Sequence, residues 1–282
     1  MKKTLAFFTV LVMLIFTSCE KNEITFGNLD VDTASAAQVR LVYDFPLVST
    51  TALNLTRLKY NDQLYSMVST PLGSIFPNSA AKYHLVPKGS VKVDAFRFAT
   101  KDSLLAYTNT FTVGNGKYSV YIYNQTEAPL VVQDVDVFPK GNAWADTTAY
   151  IQFVNLFYKA DGVTPYGKLT LKGRRGAGTS ASPYYYIDIA TCDFKQASAL
   201  VPYKLVKSGT VWSGTETGMS FVIYDVDGKL LQYYPSSTGA LTNWAATGYS
   251  LGKGRYYIFH MNGKAGAKYA DQAIRLSTIG IN

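Results

Sequence analysis

The sequence predicts an all-β protein built from two tandem antiparallel β-sandwiches. The chain is rich in residues that favour strands, with 22 Tyr and 15 Phe among its 282 residues. Short segments alternate apolar and polar side chains with a period of two, and no convincing run of eleven residues follows the 3.6-residue period of a helix. Part of the sequence also repeats once, at a spacing above one hundred residues, which indicates two domains and excludes a solenoid.

The composition excludes several classes of protein. Hydrophobic residues make up 48% of the chain and charged residues 16%, which excludes intrinsic disorder, collagen-like repeats and coiled coils. Two Cys cannot form a disulfide framework. The 27 basic and 19 acidic side chains give a formal net charge of +8.

The N-terminus has the pattern of a bacterial lipoprotein signal peptide, residues 1–18. Lys2 and Lys3 precede an apolar run over residues 5–16, and Cys19 follows a pair of small residues. The run is about twelve residues long, whereas a membrane-spanning helix needs about twenty. We expect Cys19 to be acylated and to anchor the mature chain to the outer membrane. The alternative is an ordinary signal peptide with an incidental Cys.

The charge of the mature chain argues against a nucleic-acid partner. Removing residues 1–18 takes away two Lys and no acidic residue, so the net charge becomes 25 − 19 = +6. Residues 172–175 form the one tight basic cluster, which we interpret as a solvated hairpin tip. Nucleic-acid binding calls for a dense basic stripe, so we expect no such partner.

The elements follow in a simple order. Residues 19–36 are polar and without a period, which predicts a flexible tether. The first sandwich is predicted over residues 37–138, a linker rich in Pro, Gly and Asn over 139–148, and the second sandwich over 149–282. Each copy offers about seven or eight short strands, which fits Greek-key sandwiches of the immunoglobulin-like type.

The repeat is clearest near the end of each copy. The segment GNGKYSVYIYN that begins at Gly114 matches the segment GKGRYYIFHMN that begins at Gly252, which aligns Tyr118 with Tyr256. The opening segments match as well, since AQVRLVY resembles AYIQFVN. The order is the same in both copies, and the second copy carries longer loops.

The first copy resembles a known family in three segments: AQVRLVYDFP from residue 37, LVPKGSVKV from residue 85 and FTVGNGKYSV from residue 111. They resemble an uncharacterised β-sandwich domain of secreted bacterial proteins with the pattern A-x-V-R-L-V-H-A-S-P, L-P-A-G-x-Y-x-V and L-x-x-G-x-x-Y-T-V. Tyr43, Asp44 and Phe45 replace its His-Ala-Ser, and Val91 replaces a Tyr. The resemblance implies a cell-surface or periplasmic module, often in tandem, in a Gram-negative lipoprotein, with no catalytic residue.

No pattern in the sequence predicts an enzyme, a cofactor or a metal site. Ser250 lies in a G-x-S-x-G sequence, but the residues after it predict a strand rather than the helix that a hydrolase elbow requires. His84 and His260 are the two His of the chain and are far apart in sequence, whereas a zinc site needs three or four ligands at matched spacing. The lone Cys192 is most simply a small buried residue.

The aromatic residues are the remaining candidates for binding. Tyr185 lies within the run Tyr184–Tyr186, and Trp212 and Trp244 lie beside Gly, Ser and Thr in predicted loops. Exposed aromatic rings suit stacking on sugars or contact with a protein. The alternative is that these rings fill the sandwich cores.

Together these observations predict a lipid-anchored, non-catalytic binding or adhesion module of the cell envelope, on the cell surface rather than the periplasmic face. Its partners would be the membrane, through the lipid, and a glycan or a surface protein. The first alternative is a structural spacer subunit of a surface complex. A hydrolase ranks third, because no acid, base and nucleophile occur in a recognisable arrangement.

Overall fold

The computed structural model describes residues 35–45, 54–76, 83–98, 103–135, 147–206, 215–234, 239–266 and 275–281. Every regular element in these ranges is a strand, as the alternating pattern predicts. No helix in the described ranges has the length and apolar character that crossing a membrane requires. The predicted signal peptide and almost all of the predicted tether lie outside the described residues.

The described strands divide into two sets along the chain. Those of the N-terminal half are β1 (Ala36–Tyr43), β2 (Leu55–Tyr60), β3 (Gln63–Ser66), β4 (Ser74–Phe76), β5 (His84–Pro87), β6 (Gly89–Phe98), β7 (Ser103–Val113), β8 (Lys117–Ile122) and β9 (Leu130–Gln133). Those of the C-terminal half are β10 (Thr148–Asn155), β11 (Leu169–Arg175), β12 (Tyr185–Cys192), β13 (Gln196–Ala197), β14 (Val201–Lys204), β15 (Thr215–Asp225), β16 (Gln232–Tyr233), β17 (Thr242–Asn243), β18 (Ala246–Gly252), β19 (Tyr256–Asn262) and β20 (Arg275–Ile281).

Two sheets form the N-terminal half. One has the order β4-β1-β8-β9, with β5 paired to β1 beside β4, and the other has the order β3-β2-β6-β7. Alternate side chains of both sheets, such as Leu41, Leu58 and Val93, meet in one buried cluster. Two stacked sheets around a shared apolar core are what a β-sandwich requires.

The C-terminal half repeats this strand order. Its five-stranded sheet runs β13-β10-β19-β20 with β14 also on β10, and its four-stranded sheet runs β12-β11-β15-β18. The small hairpin of β16 and β17 is additional. Strands β1 and β10 have the same sequence of buried and half-buried residues. The internal repeat seen in the sequence is therefore present in the strand order.

The prediction of wholly antiparallel sheets is wrong at one strand pair in each half. Strand β1 pairs with β8 in parallel, and β10 pairs with β19 in parallel. A parallel pair needs a long crossover, and here the intervening strands of the other sheet supply it. Alternation of side chains is the same in both pairing directions, so the sequence pattern does not distinguish them.

The sequence alignment of the repeat is also wrong by one residue at this pair. Val39 of β1 lies opposite Tyr118, whereas the equivalent Ile151 of β10 lies opposite Tyr257 and not Tyr256. The hydroxyl of Tyr118 accepts a hydrogen bond from the backbone N–H of Gly114 at 3.3 Å, and the Tyr257 hydroxyl accepts one from Gly252 at 2.7 Å. The second turn therefore holds one extra residue between glycine and tyrosine.

The two halves share a buried apolar cluster between their five-stranded sheets. Because β1, β8, β10 and β19 are central strands, their second faces would otherwise lie in solvent. Instead, apolar side chains from those faces pack together. The buried members are Val42, Ile75, Tyr121, Tyr123, Val132, Val154, Leu156, Tyr158, Tyr256, Ile258 and Ile279.

A buried polar contact ties the halves together inside this layer. The carboxylate of Asp44, which follows β1, lies 2.7 Å from Nδ1 of His260 in β19 and also accepts a hydrogen bond from the side chain of Asn262. The side chains of Asp44 and His260 are fully buried. Buried polar groups need such partners, because they have given up their bonds to water.

A second polar contact lies nearer the surface, around Glu127. Its carboxylate accepts hydrogen bonds from Tyr123 (3.2 Å) and Asn124 (2.9 Å) of the N-terminal half. It also accepts one from Tyr158 (3.3 Å) and forms an ion pair with Lys195, both in the C-terminal half. Residues 34–282 form one compact unit. The predicted domain limits 37–138 and 149–282 stay predictions.

Candidate functional site

The structure separates the predicted binding residues. Tyr185 is 57% exposed, in the edge strand β12, whereas Trp244 is only 6% exposed and packs in the core of the C-terminal half. Trp244 therefore lies where the core alternative places it, and its ring is not available for stacking on a ligand. Trp212 and the predicted lipid attachment residue Cys19 lie outside the described residues.

The exposed aromatic surface lies at the start of β12. Tyr184, Tyr185, Tyr186 and Ile187 are 46%, 57%, 39% and 39% exposed in succession. Strand β12 is the edge of its sheet and pairs with β11 alone. Both faces of this edge therefore present large apolar side chains to solvent, which is uncommon away from binding surfaces.

The cross-strand register assigns each Tyr to a face. Tyr186 lies opposite Arg174 on the outer face of the sheet, and Tyr185 lies opposite Arg175 on the inner face. The Tyr186 ring meets the ring of Tyr224 edge-on at 5.6 Å. Tyr185 is therefore an exposed residue at the margin of the inner face, while Tyr186 belongs to an open aromatic surface on the outer face.

Two cations border the outer face. The guanidinium of Arg174 lies over the ring of Tyr184, 4.5 Å from its centroid, and Lys172 lies 4.5 Å from the centroid of Tyr224. Such cation–π contacts attract the charged groups to the faces of these rings. We call Tyr184–Tyr186 together with Lys172 and Arg174 the tyrosine edge.

The charges of the tyrosine edge are only partly neutralised. Lys172 forms an ion pair with Asp188 at 2.9 Å, and Arg174 donates a hydrogen bond to the Ser220 hydroxyl at 3.3 Å. No carboxylate among the described residues lies within ion-pair distance of Arg174. Its guanidinium is therefore able to bind an acceptor on a ligand.

The interpretation of residues 172–175 as a hairpin tip is wrong, because this basic cluster lies in β11 itself. The turn follows it and contains Gly176 and Gly178, both with positive φ. A Cβ on Gly178 would lie 2.5 Å from the Tyr184 ring. The second glycine therefore allows Tyr184 to fold back over the turn and approach Arg174.

Among the described residues, the groups considered for catalysis are not assembled into a reactive site. Burial raises the pKa of the Cys192 thiol to about 12, so this thiol is protonated at neutral pH. Ser250 lies within β18, without the helix of a hydrolase elbow. No group of three or more His, Cys, Asp or Glu side chains in the described ranges could hold a metal ion.

The sequence identifies Tyr184–Tyr186 as candidates for this surface, but it does not predict that Lys172 and Arg174 lie beside them. The run Tyr184–Tyr186 was visible because three consecutive Tyr in an alternating strand must expose at least one face. The partnership with Lys172 and Arg174 depends on the β11–β12 register, which includes a bulge after Leu171. A bulge shifts every later pair by one residue, and no local signal in the sequence marks it.

Comparison with known proteins finds matches among solved structures. No family model and no curated protein matches the chain. A solved structure described as a "putative cell adhesion protein" from Bacteroides uniformis ATCC 8492 has 8% identity and a TM-score of 0.27, over 89% of this chain and 99% of that one. A protein of the same description from Bacteroides fragilis NCTC 9343 has 10% identity and a TM-score of 0.22, over 88% and 98%.

A third structure of that description, from Bacteroides ovatus ATCC 8483, has 9% identity and a TM-score of 0.23, with 87% of this chain and 96% of that chain covered. TM-scores this low carry no argument about fold or function. The resemblance to the uncharacterised β-sandwich domain of secreted proteins therefore stays an expectation from the three sequence segments.

Proposed function

We propose that the protein is a lipid-anchored, non-catalytic binding module of the bacterial cell surface. In this proposal Cys19 carries the lipid in the outer membrane, and the immunoglobulin-like sandwiches present the tyrosine edge to a glycan or to the surface of a partner protein. The proposal assigns binding to Tyr184–Tyr186, Lys172 and Arg174, and leaves Trp244 in the core.

One observation supports this proposal most directly. The chain buries many of its Tyr side chains almost completely, for example Tyr121 and Tyr256, which are 0% exposed. Tyr185 is 57% exposed although it lies in a paired strand. Leaving such a ring in water forgoes about 1.5–3 kcal/mol of burial free energy, which a contact with a ligand would recover.

The chemistry of the tyrosine edge favours a sugar. The flat face of a Tyr ring packs against the C–H groups of a pyranose, and its hydroxyl forms hydrogen bonds with sugar hydroxyls. Arg174 adds donors in a fixed fork, which suits a carboxylate or a ring oxygen. A protein surface with exposed acidic and apolar side chains would use the same groups.

The proposal is tested by screening the intact protein on a glycan array, followed by calorimetry with the glycans that bind. Tyr185→Ala and Tyr186→Ala should each weaken binding by about 5- to 150-fold, the equivalent of about 1–3 kcal/mol for one stacked ring. Trp212→Ala belongs in the same series, because Trp212 is a candidate from the sequence. Tyr65→Ala is the matched control, since Tyr65 is an exposed Tyr of the other half.

Two results would contradict binding at the tyrosine edge: a glycan whose affinity is equal in wild type and both variants, or no ligand in either a glycan or a surface-protein screen. The second result would favour the structural spacer. Cys19→Ala tests the anchor separately. This variant should leave the membrane fraction and lose labelling by a radioactive fatty acid, whereas a wild-type protein recovered in soluble form would contradict the lipoprotein assignment.

A further inference from the structure

A cleft opens where the two halves meet, and no residue of the tyrosine edge lines it. Its volume is about 290 Å³, and both halves line it. The N-terminal half contributes Phe45, Asn124 and Gln125, and the C-terminal half contributes Tyr158, Asp161 and Lys264. The volume is at the lower end of the range of small-molecule sites, which is about 300–1,000 Å³.

The strand topology explains why the cleft forms at this place. Strands β1 and β8 run parallel, as do β10 and β19. Their four carboxyl ends lead directly into lining segments: Phe45 follows β1, Asn124 follows β8, Tyr158 follows β10 and Lys264 follows β19. The cleft is therefore composed of the two equivalent ends of the repeat and exists only when both halves are in contact.

The walls of the cleft are held in place before any ligand arrives. The Asn124 amide donates hydrogen bonds to the Glu127 carboxylate at 2.9 Å and to the Tyr158 hydroxyl at 3.2 Å. On the opposite wall the Asp161 carboxylate accepts backbone N–H bonds from Val163 and Thr164 at 2.9 and 2.8 Å. A preorganised site loses little conformational entropy on binding.

The cleft has both positively and negatively charged side chains whose hydrogen-bonding capacity is not used up within the protein. Lys264 has no ion-pair partner among the described residues, and the exposed Gln125 amide has no hydrogen bond to another described residue. The Asp161 oxygens retain further acceptor capacity. Phe45 and Tyr158 are 1% and 7% exposed, so their rings close the cleft but offer no free face for stacking. A cation, a carboxylate and an amide within one small cleft match a molecule with several hydroxyls better than an ion or an apolar molecule.

We infer that this cleft binds a hydroxyl-rich six-membered ring, such as a monosaccharide or the terminal sugar of a glycan chain. Hydroxyls of the ligand donate to Asp161 and accept from Lys264 and Gln125. The cleft is separate from the tyrosine edge, and this inference does not depend on the function proposed for the tyrosine edge.

The test uses the full-length protein in detergent, titrated calorimetrically with glucose, galactose, mannose, N-acetylglucosamine and glucuronate. We expect at least one of them to bind with a millimolar or lower Kd. Gln125→Trp fills the cleft from an exposed position and should weaken that binding by tenfold or more. Val226→Trp, which places the same ring at a 74% exposed position outside the cleft lining, should leave that binding unchanged.

Lys264→Ala should weaken binding as well, because the ligand loses a charged donor, while Tyr185→Ala should leave it unchanged. The inference is overturned if none of the five sugars binds, or if a bound sugar keeps its affinity in Gln125→Trp. Loss of binding in Tyr185→Ala with no loss in Gln125→Trp would assign the sugar to the tyrosine edge instead. Thermal unfolding of each variant establishes that the fold is intact.

Discussion

Trp244 and Tyr185 lie in opposite environments of the same half. Trp244 is 6% exposed and packs among the buried residues around Phe221, whereas Tyr185 is 57% exposed. Trp244→Ala should lower the free energy of unfolding by about 3–5 kcal/mol, because the substitution leaves a cavity that the core cannot fill. Tyr185→Ala should change it by less than about 0.5 kcal/mol.

Chemical denaturation of both variants measures this difference. Val163→Ala is a suitable control, because Val163 is 76% exposed and carries no packing role. A Trp244→Ala protein as stable as the wild type would contradict the core position of this ring. A large loss of stability in Tyr185→Ala would show that Tyr185 has a structural role, which would weaken its assignment to binding.

The Asp44 carboxylate is a fully buried polar group at the contact between the halves. Asp44→Ala would leave the ring of His260 and the amide of Asn262 without their acceptor inside the apolar layer. Because unsatisfied buried donors keep the full cost of desolvation, we expect a loss of about 3 kcal/mol in the free energy of unfolding. Equilibrium urea unfolding measures it.

Asp44→Asn provides the matched control, since its amide oxygen still accepts one hydrogen bond and the side chain keeps its volume. It should lose less stability than Asp44→Ala. Equal losses in the two variants would mean that the charge or the second acceptor oxygen of the carboxylate, and not side-chain volume or a single acceptor, decides the contribution of this position.

At the residue scale, the sequence predicts which residue types carry chemistry but not which of them meet. Asp44 replaces a residue of the family pattern, and His260 is an isolated His 216 residues further along the chain. Their contact depends on two sheets packing across the two halves, which no local pattern encodes. The burial of Trp244 also depends on tertiary packing, here within the core of the C-terminal half.

At the scale of the element, a Tyr at the second position of β8 and of β19 closes the turn before the strand. Tyr257 is 8% exposed, and its hydroxyl is the acceptor of the buried Gly252 N–H. Tyr257→Phe should lower the free energy of unfolding by about 1–3 kcal/mol, because this N–H would lose its partner inside the protein. Urea unfolding measures the change.

Tyr118→Phe is the internal comparison from the first copy. Its hydrogen bonds, with the Gly114 N–H and the Asn115 carbonyl, are exposed to solvent, so water replaces them and the loss should be smaller. A larger loss in Tyr118→Phe than in Tyr257→Phe would contradict the difference in burial on which this prediction rests.

The repeat also explains which features of the elements can be predicted from the sequence. Strand content follows from alternation, and the likeness of the two halves follows from the matched segments. The one-residue offset between Tyr118 and Tyr257 does not, because the GKGRYY and GNGKYS segments align without a gap. Since a shift of one residue moves a side chain to the opposite face, only the pairing with β1 and β10 decides it.

At the scale of the whole molecule, a fall in pH should weaken the contact around Glu127. Burial alone would raise the pKa of Glu127, but hydrogen bonding and charge from Lys195, with hydrogen bonds from Tyr123 and Tyr158, lower it below its ordinary 4.5. A carboxyl with a lowered folded-state pKa stabilises the fold above its unfolded-state pKa. That stabilisation is lost as the pH falls through the folded-state pKa.

Thermal unfolding between pH 7 and pH 3 tests this expectation. Glu127→Gln cannot ionise, so the difference in unfolding temperature between wild type and variant should be largest at neutral pH and should shrink as the pH falls below 4.5. Lys195→Met should reduce the same pH dependence from the other side of the ion pair. A difference that stays constant over this pH range would contradict the role of the Glu127 charge.

The last prediction concerns the independence of the two halves. Each half has two sheets around a buried cluster of its own, so residues 19–138 and 147–282, expressed separately, should each fold to a β-rich state. Separation, however, exposes the shared layer, including Val42 and Tyr121 on one side and Val154 and Ile258 on the other. We therefore expect both fragments to unfold at lower temperature than the intact chain and to associate when mixed.

Far-UV circular dichroism with heating, and calorimetric mixing of the fragments, measure both effects. Association should release apolar surface from water, and its heat capacity change should accordingly be negative. Asp44→Ala in the N-terminal fragment should weaken association, whereas Tyr65→Ala, on an exposed surface of the same half, should not.

Fragments that keep the stability of the intact chain and do not associate would show that the shared layer contributes nothing. One fragment that stays unfolded even with the other present would contradict the predicted boundary at residues 139–148.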